Sequence, residues 1–427
     1  MFLMLGLILA PGINANFLKI TISNDKNLQQ PSQTETNDVI TFKKTYNYIS
    51  NDQANSVKQT PDNGYILVGS SESDDMNERI WIVKTDENGN KEWNITYQKD
   101  GMDSIAYDVE QASDGGYIVV GSCGEELIDI PLVIKLGTHG DIKWAKTYNY
   151  VGFEGAKAIC KTTHGDFVFT GAIDEEEEEN YIVYLCKIDG DGNVLWKKNC
   201  GYGESYDVQQ TSDGGYIIVG DSGSWEEDIF LIKTDDHGNK EWVKFYDENA
   251  DIGYSVKQTS DGGYIIAGCT FNLSEDIQKG WVIKTDSDGT VMWDKKFGSK
   301  DSDGLAYDVC ETSDGGFVVT GYRTKEYYTI SDLVIIKYGG DGSKKWEKKY
   351  NNNDFDSGTS IQETSDGGLV IGGFTGSFFG LEFDYWLIKT DENGEVHNAR
   401  QTVRHNCFPD VISFFLENFF NRYRGKL

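Results

Sequence analysis

An all-β repeat fold is predicted for this chain by three observations. The stretch YSVKQTSDGGYIIAG at Tyr254–Gly268 has near copies beginning at Asn55, Tyr107, Lys157, Tyr206, Tyr307 and Thr359, and the step between copies is 48 to 53 residues. Within each copy the apolar residues alternate or run together over short stretches broken by Asp-Gly turns, which is the pattern of strands and hairpins. A tryptophan marks the last strand of six copies, and an aromatic residue ahead of the first copy takes the seventh place. Repeats of this length are units that cannot bury their own apolar faces and stack on their neighbours. Seven units of four strands, with two middle strands apolar on both faces, predict a seven-bladed β-propeller of four antiparallel strands per blade. The runner-up, a β-solenoid, ordinarily has shorter coils.

The chain opens on MFLMLGLILAPGINA, an apolar run ending in small residues. Residues 1–15 read as a signal peptide without the usual positive leader. Residues 16–38, rich in Asn, Gln, Ser and Thr, read as a linker. Residues 39–401 then form the propeller. Its first segment, VITFKKTY at Val39–Tyr46, looks like the outer strand of a unit whose other strands are missing. The fourth unit shows the complete pattern. YDVQQT (Tyr206–Thr211) is followed by the turn Ser212-Asp213-Gly214-Gly215, with glycines free to take positive φ. YIIVG (Tyr216–Gly220) and IFLIKT (Ile229–Thr234) are apolar throughout, so both of their faces must be covered. A second turn, Asp235-Asp236-His237-Gly238, leads into KEWVKFY (Lys240–Tyr246), which alternates as a half-exposed outer strand should.

Trp93, Trp144, Trp196, Trp242, Trp293 and Trp346 mark six outer strands; the last unit has Asn398 at that place, and Phe42 holds it in the N-terminal segment. The N-terminal strand is therefore expected to complete the last unit and close the ring, which removes open sheet edges. A lysine recurs in every third strand: Lys84, Lys135, Lys187, Lys233, Lys284, Lys337 and Lys389. Its ammonium is expected to reach the turn carboxylate two residues on, such as Asp86 or Asp235. Residues 402–427 form an amphipathic tail in which Ile412, Phe415, Leu416, Phe419 and Tyr423 fall at helical spacing. A membrane surface, another protein and the propeller itself are its three expected contacts.

With these motifs in hand, the unit resembles the exported bacterial and archaeal propeller repeats of the form DGGYI...W-[LI]-K-T-D-x-x-G-x-x-x-W, akin in appearance to quinoprotein-like and kelch-like propellers. The resemblance implies the fold and an exported location, and leaves function open, since function does not follow from fold. The segments TDENGNKEW (Thr85–Trp93), IDGDGNVLW (Ile188–Trp196) and TDSDGTVMW (Thr285–Trp293) also resemble the tryptophan-docking motif of quinoprotein dehydrogenases, one residue shorter between Asp and Gly. No constellation for a quinone accompanies them. They resemble the Asp-box turn of sialidases too, displaced by one residue. The three converging arginines of such an enzyme are not matched by Arg79, Arg323 and Arg400.

The formal net charge of -31 argues against nucleic acid and anionic membrane surfaces as partners of the propeller, because both need basic patches. Cationic, neutral or metal-ion partners remain. Seven scattered cysteines without a Cys-x-x-Cys pair read as single buried thiols, and the five histidines share no metal-ligand spacing. Asp189-Gly190-Asp191-Gly192-Asn193 lacks the later bidentate acid of a calcium loop and reads as a hairpin turn.

Binding residues are expected on the varied loops between second and third strands, which share one face of a propeller. The candidates are Asp174, Glu175, Glu176 and Glu177; Glu226, Glu227 and Asp228 beside Trp225; and the aromatics Tyr327, Tyr328 and Phe379. No catalytic residue, metal ligand or resident cofactor is assigned, and calcium is the ion such neighbouring carboxylates would take. The expected function is that of a non-catalytic, exported or cell-surface interaction scaffold with a protein or carbohydrate ligand. The alternative is a carbohydrate-active hydrolase or lyase using carboxylates of the loop-rich face.

Overall fold

The computed structural model describes residues 39–49, 51–72, 77–125, 128–148, 153–175, 180–223, 228–247, 249–272, 277–325, 330–377 and 382–397. The expectations for residues 1–15, 16–38, 402–427 and Asn398 lie outside them. All 28 elements of the described residues are β-strands. They group in fours, each group an antiparallel meander. In the fourth unit the strands are Glu204–Gln210, Tyr216–Asp221, Ile229–Thr234 and Lys240–Tyr246, hydrogen-bonded in that order. Thr211 N donates to Gly215 O and Gly214 N to Thr211 O, both at 2.9 Å, and Gly214 has φ 90°, so the Asp-Gly-Gly sequence makes this turn. The two middle strands are buried along their whole length, and the outer strand is exposed where it begins and half-buried beyond.

Phe42–Tyr46 pairs with no strand that closely follows it. It runs antiparallel to Glu382–Thr390, with Phe42 opposite Lys389 and Tyr46 opposite Tyr385, and makes the fourth strand of the group begun by Phe355–Glu363 and Leu369–Ser377. Its side chains repeat the outer-strand contacts of other units. A Cβ built on Gly89 would stand 2.5 Å from the Phe42 ring, as one on Gly140 would stand 2.8 Å from Trp93 and one on Gly192 2.7 Å from Trp144. Only glycine lets the turn lie flat on the ring. The Tyr46 hydroxyl donates to Gly89 O at 2.7 Å, just as Tyr148 donates to Gly192 O and Tyr246 to Gly289 O, both at 2.9 Å. Beside it, His397 N donates to Thr41 Oγ1 at 2.8 Å.

The core lies between successive groups. Ile66, Val68, Ile80 and Ile82 of the first unit pack against Ala106, Val109, Val119 and Leu132 of the second. Val370, Tyr385 and Leu387 of the last unit pack against Val57, Leu67 and Trp81 of the first. Each Val, Leu or Ile so buried contributes about 1.5 to 3 kcal/mol, which is why the middle strands need apolar residues on both faces. Single parallel bridges, Ser331 to Phe355 and Asn51 to Phe383, join three neighbouring groups into one open, mixed sheet of twelve strands.

The recurring lysines depart from expectation. Six are buried and Lys187 is partly so. Each ammonium pairs with the aspartate of the first turn, as Lys84 does with Asp62 at 2.8 Å, Lys135 with Asp114 at 2.6 Å and Lys337 with Asp314 at 2.7 Å. Lys187, Lys233, Lys284 and Lys389 meet Asp166, Asp213, Asp261 and Asp366 in the same way. Asp86 and Asp235 are not the partners, because their carboxylates are spent on their own turns. Asp86 Oδ1 accepts from Asn88 N at 2.9 Å and Asn90 N at 2.7 Å, and Asp235 Oδ1 accepts from His237 N and Asn239 N. Asp189 closes its turn likewise through Asp191 N and Asn193 N. Cys123, Cys160, Cys186, Cys200 and Cys269 are buried free thiols.

Candidate functional site

The first strand of each unit carries a β-bulge. The register slips between Ala54 and Ser56, Ala106 and Asp108, Ser205 and Asp207, Gly253 and Ser255, Ala306 and Asp308, and Gly358 and Ser360, and in the third unit over the longer span from Glu154 to Ala158. An extra residue there breaks the strict alternation of faces. The bulged residue, its successor and the residue two further on all line one cavity of about 310 Å³ to which the seven first strands contribute.

The residues just after the bulge are Ser56, Asp108, Ala158, Asp207, Ser255, Asp308 and Ser360. Each aspartate ties two units together. Asp108 Oδ1 accepts from Val109 N and from Ser56 Oγ, both at 2.8 Å, while Oδ2 accepts from Ile159 N at 3.1 Å. Asp207 accepts from Val208 N at 2.8 Å and Val256 N at 2.9 Å, and Asp308 from Val309 N and Ile361 N, both at 2.8 Å. Burial pushes the Asp108 carboxyl above the usual range, and the Lys58 ammonium opposes that shift. Two residues further along stand Lys58, Glu110, Cys160, Gln209, Lys257, Cys310 and Gln362. Lys58 Nζ meets Glu110 Oε1 at 3.2 Å, and Lys257 Nζ meets Asp207 Oδ2 at 2.6 Å. Glu110 raises the Lys58 pKa; for Lys257, burial pulls down while Asp207 and Asp308 outweigh it. Burial lifts the Cys310 thiol to about 12 and raises that of Cys160 as well, so neither is a thiolate nucleophile at neutral pH.

At the bulge itself, Tyr206, Tyr254 and Tyr307 form a belt, with ring centroids 5.5 and 5.3 Å apart. Lys157 Nζ lies 4.4 Å from the centre of the Tyr107 ring. The wall thus combines paired charges, carboxamides and aromatic faces.

The loop residues expected to bind fall largely elsewhere. Glu176, Glu177, Trp225, Glu226, Glu227, Tyr327, Tyr328 and Phe379 lie outside the described residues. Asp174 and Glu175 appear as backbone at the end of the strand Phe167–Glu175, opposite Tyr181 and Asn180. Asp228 is described with its side chain, and its carboxylate, with those of Asp247 and Asp251, brings oxygens within 4.8 Å of one another. Sequence reasoning missed the cavity residues. Their signal was variation inside the repeat: Lys, Glu, Cys, Gln, Lys, Cys and Gln follow one another at one position, while the position before it is always Val or Ile.

No family model matches this chain, and no curated protein matches it. Among solved structures it is similar to the S511A mutant of puromycin hydrolase complexed with PGG, at TM-score 0.51 and 8% identity, over 82% of this chain and 55% of that one. It is also similar to Sqt1 from Chaetomium thermophilum, at TM-score 0.45 and 10% identity over 80% and 97% of the two chains. The K499G mutant of NanB sialidase from Streptococcus pneumoniae gives 0.42 and 10% over 81% and 69%. The fold is β-propeller-like and all-β. These likenesses extend to fold alone.

Proposed function

We propose that the chain is a seven-bladed β-propeller, closed by Phe42–Tyr46, that serves outside the cell or on its surface as a non-catalytic scaffold for a protein or carbohydrate partner. One observation carries this reading. All seven third-strand lysines are spent on the seven aspartates of the first turns, so the turn face is committed to the framework. The loops between second and third strands differ in sequence from unit to unit, which matches the usual division between scaffold and binding surface. The seam between last and first units is supported by Thr359 Oγ1 donating to Ala54 O at 2.7 Å and Ser365 N donating to Gln59 Oε1 at 2.8 Å. Equivalent bonds from Thr163 N to Gln210 and Ser212 N to Gln258 join interior units. Export is supported by the resemblance of the repeats to exported propellers, and the acidic loops favour a cationic partner or calcium. The amphipathic tail at residues 402–427 would provide attachment.

The test is a panel of glycans and surface proteins assayed for both binding and product release. Changing Asp174, Asp228 and the glutamates 175–177, 226 and 227 to Asn and Gln should weaken salt-sensitive binding and leave the melting temperature in place. Turnover of a bound glycan would replace the scaffold reading with a hydrolase or lyase.

A further inference from the structure

We propose that the axial cavity binds an uncharged polyhydroxylated ligand of one or two sugar rings, a site separate from the loop face and independent of that reading. The framework leaves hydrogen-bond donors unspent there. Gln209 Oε1 accepts from Gln258 N at 2.5 Å, and Gln362 Oε1 accepts from Gln59 N at 2.9 Å. With their oxygens fixed in this way, both carboxamides turn an NH₂ group toward other partners, and neither nitrogen finds one among the described residues. Lys58 spends one hydrogen on Glu110, and Lys257 spends two, on Asp207 and Ser255. Lys58 is 36% exposed and Glu110 25%, so this pair offers both a donor and an acceptor to a guest.

Charge selects the ligand class. Asp108, Glu110, Asp207 and Asp308 oppose Lys58, Lys157 and Lys257 in the wall, an excess of carboxylate that disfavours a bare anion. A bare cation is served no better, since the three aspartates already accept backbone N–H groups of two units each. Hydroxyl groups both accept and donate. They fit the Gln209 and Gln362 amides and the Lys58 ammonium as acceptors and Glu110 as donors. The belt of Tyr206, Tyr254 and Tyr307 supplies apolar ring surface on the same wall, suited to the C–H faces of a sugar. At about 310 Å³ the cavity is at the small end of ligand pockets.

The test is calorimetric titration of the full chain with neutral mono- and disaccharides, with sodium glucuronate and spermidine as charged controls. The paired substitution Gln209→Glu and Gln362→Glu keeps the oxygens that accept Gln258 N and Gln59 N but removes both donors. At least one neutral saccharide should bind, and the paired variant should bind it about tenfold more weakly or worse. Lys58→Met should weaken it as well and stands as the deciding variant where the pair proves unstable. Neutralised loop acids should leave this binding intact, which separates the two sites. The proposal is overturned if no neutral saccharide binds, if a charged control binds more tightly, or if the variants retain full affinity.

Discussion

The Tyr385 hydroxyl donates to the Trp81 carbonyl at 2.8 Å, and both side chains are buried, so the last unit is hydrogen-bonded to the first inside the core. Their rings also touch, with centroids 4.3 Å apart. Tyr385→Phe keeps the ring contact and deletes the bond. Urea unfolding should then show a loss of about 1 kcal/mol with an unchanged denaturant slope. A wild-type midpoint would mean that this bond contributes nothing to the seam.

Removing the N-terminal strand tests the same seam from the other side. Deletion through Tyr46 uncovers the edge of Glu382–Thr390 and the turn glycine that Phe42 covers. Thermal stability should fall sharply and aggregation should rise, whereas Phe42→Ala alone should cost about 2 kcal/mol. An unchanged melting curve after deletion would show that another segment takes the place of this strand.

Acid should loosen the framework through its lysine partners. The Lys337 ammonium, helped by the Thr312 hydroxyl and Gly316 N, holds the Asp314 carboxyl at about 2 against the effect of partial burial. Asp213 and Asp261 are also held at about 2; there burial pushes upward, and the Thr hydroxyl, the turn N–H and the lysine outweigh it. A carboxyl depressed in the folded state stabilises above its unfolded pKa, near 4, and that stabilisation drains away as pH falls toward 2. Melting temperature should therefore be flat near neutrality and decline between about pH 4 and 2. Asp314→Asn should be less stable at neutral pH and show a shallower decline.

Glycine on tryptophan makes a sharper test of the unit itself. Gly140 has φ 81°, and a Cβ there would stand 2.8 Å from the Trp93 ring. Gly140→Ala should cost about 1 to 3 kcal/mol from backbone strain and ring displacement combined. Red-shifted tryptophan emission in the folded variant would report the displaced ring. A spectrum and stability like the parent's would show that the turn shifts at no cost.

Phe42 and Tyr46 were legible in the sequence because their spacing of four matches Trp144 with Tyr148 and Trp242 with Tyr246. Strand limits were legible too: Ile229–Thr234 and Lys240–Tyr246 fall where periodicity places them. The lysine partners were not, since Lys84 and Asp62 are separated by a full hairpin and local spacing favours the nearer Asp86. The cavity was hidden by the bulge. Strict alternation would put Asn55 and Ser56 on opposite faces, yet both line the same wall.

Aspartate alternates with a small residue just after the bulge, from Ser56 through Asp108, Ala158, Asp207, Ser255 and Asp308 to Ser360. A period of two laid along an odd number of copies must begin and end alike, so serine meets serine where Thr359 bonds to Ala54. Lengthening the array by a tandem pair would preserve every aspartate tie. A single tandem duplicate of an aspartate unit would set two aspartates side by side, whereas one aspartate unit entering where serine meets serine would give that junction its missing tie. Gene duplications inside the array should therefore be tolerated in pairs of units, and a single unit should be gained or lost only at the serine–serine junction.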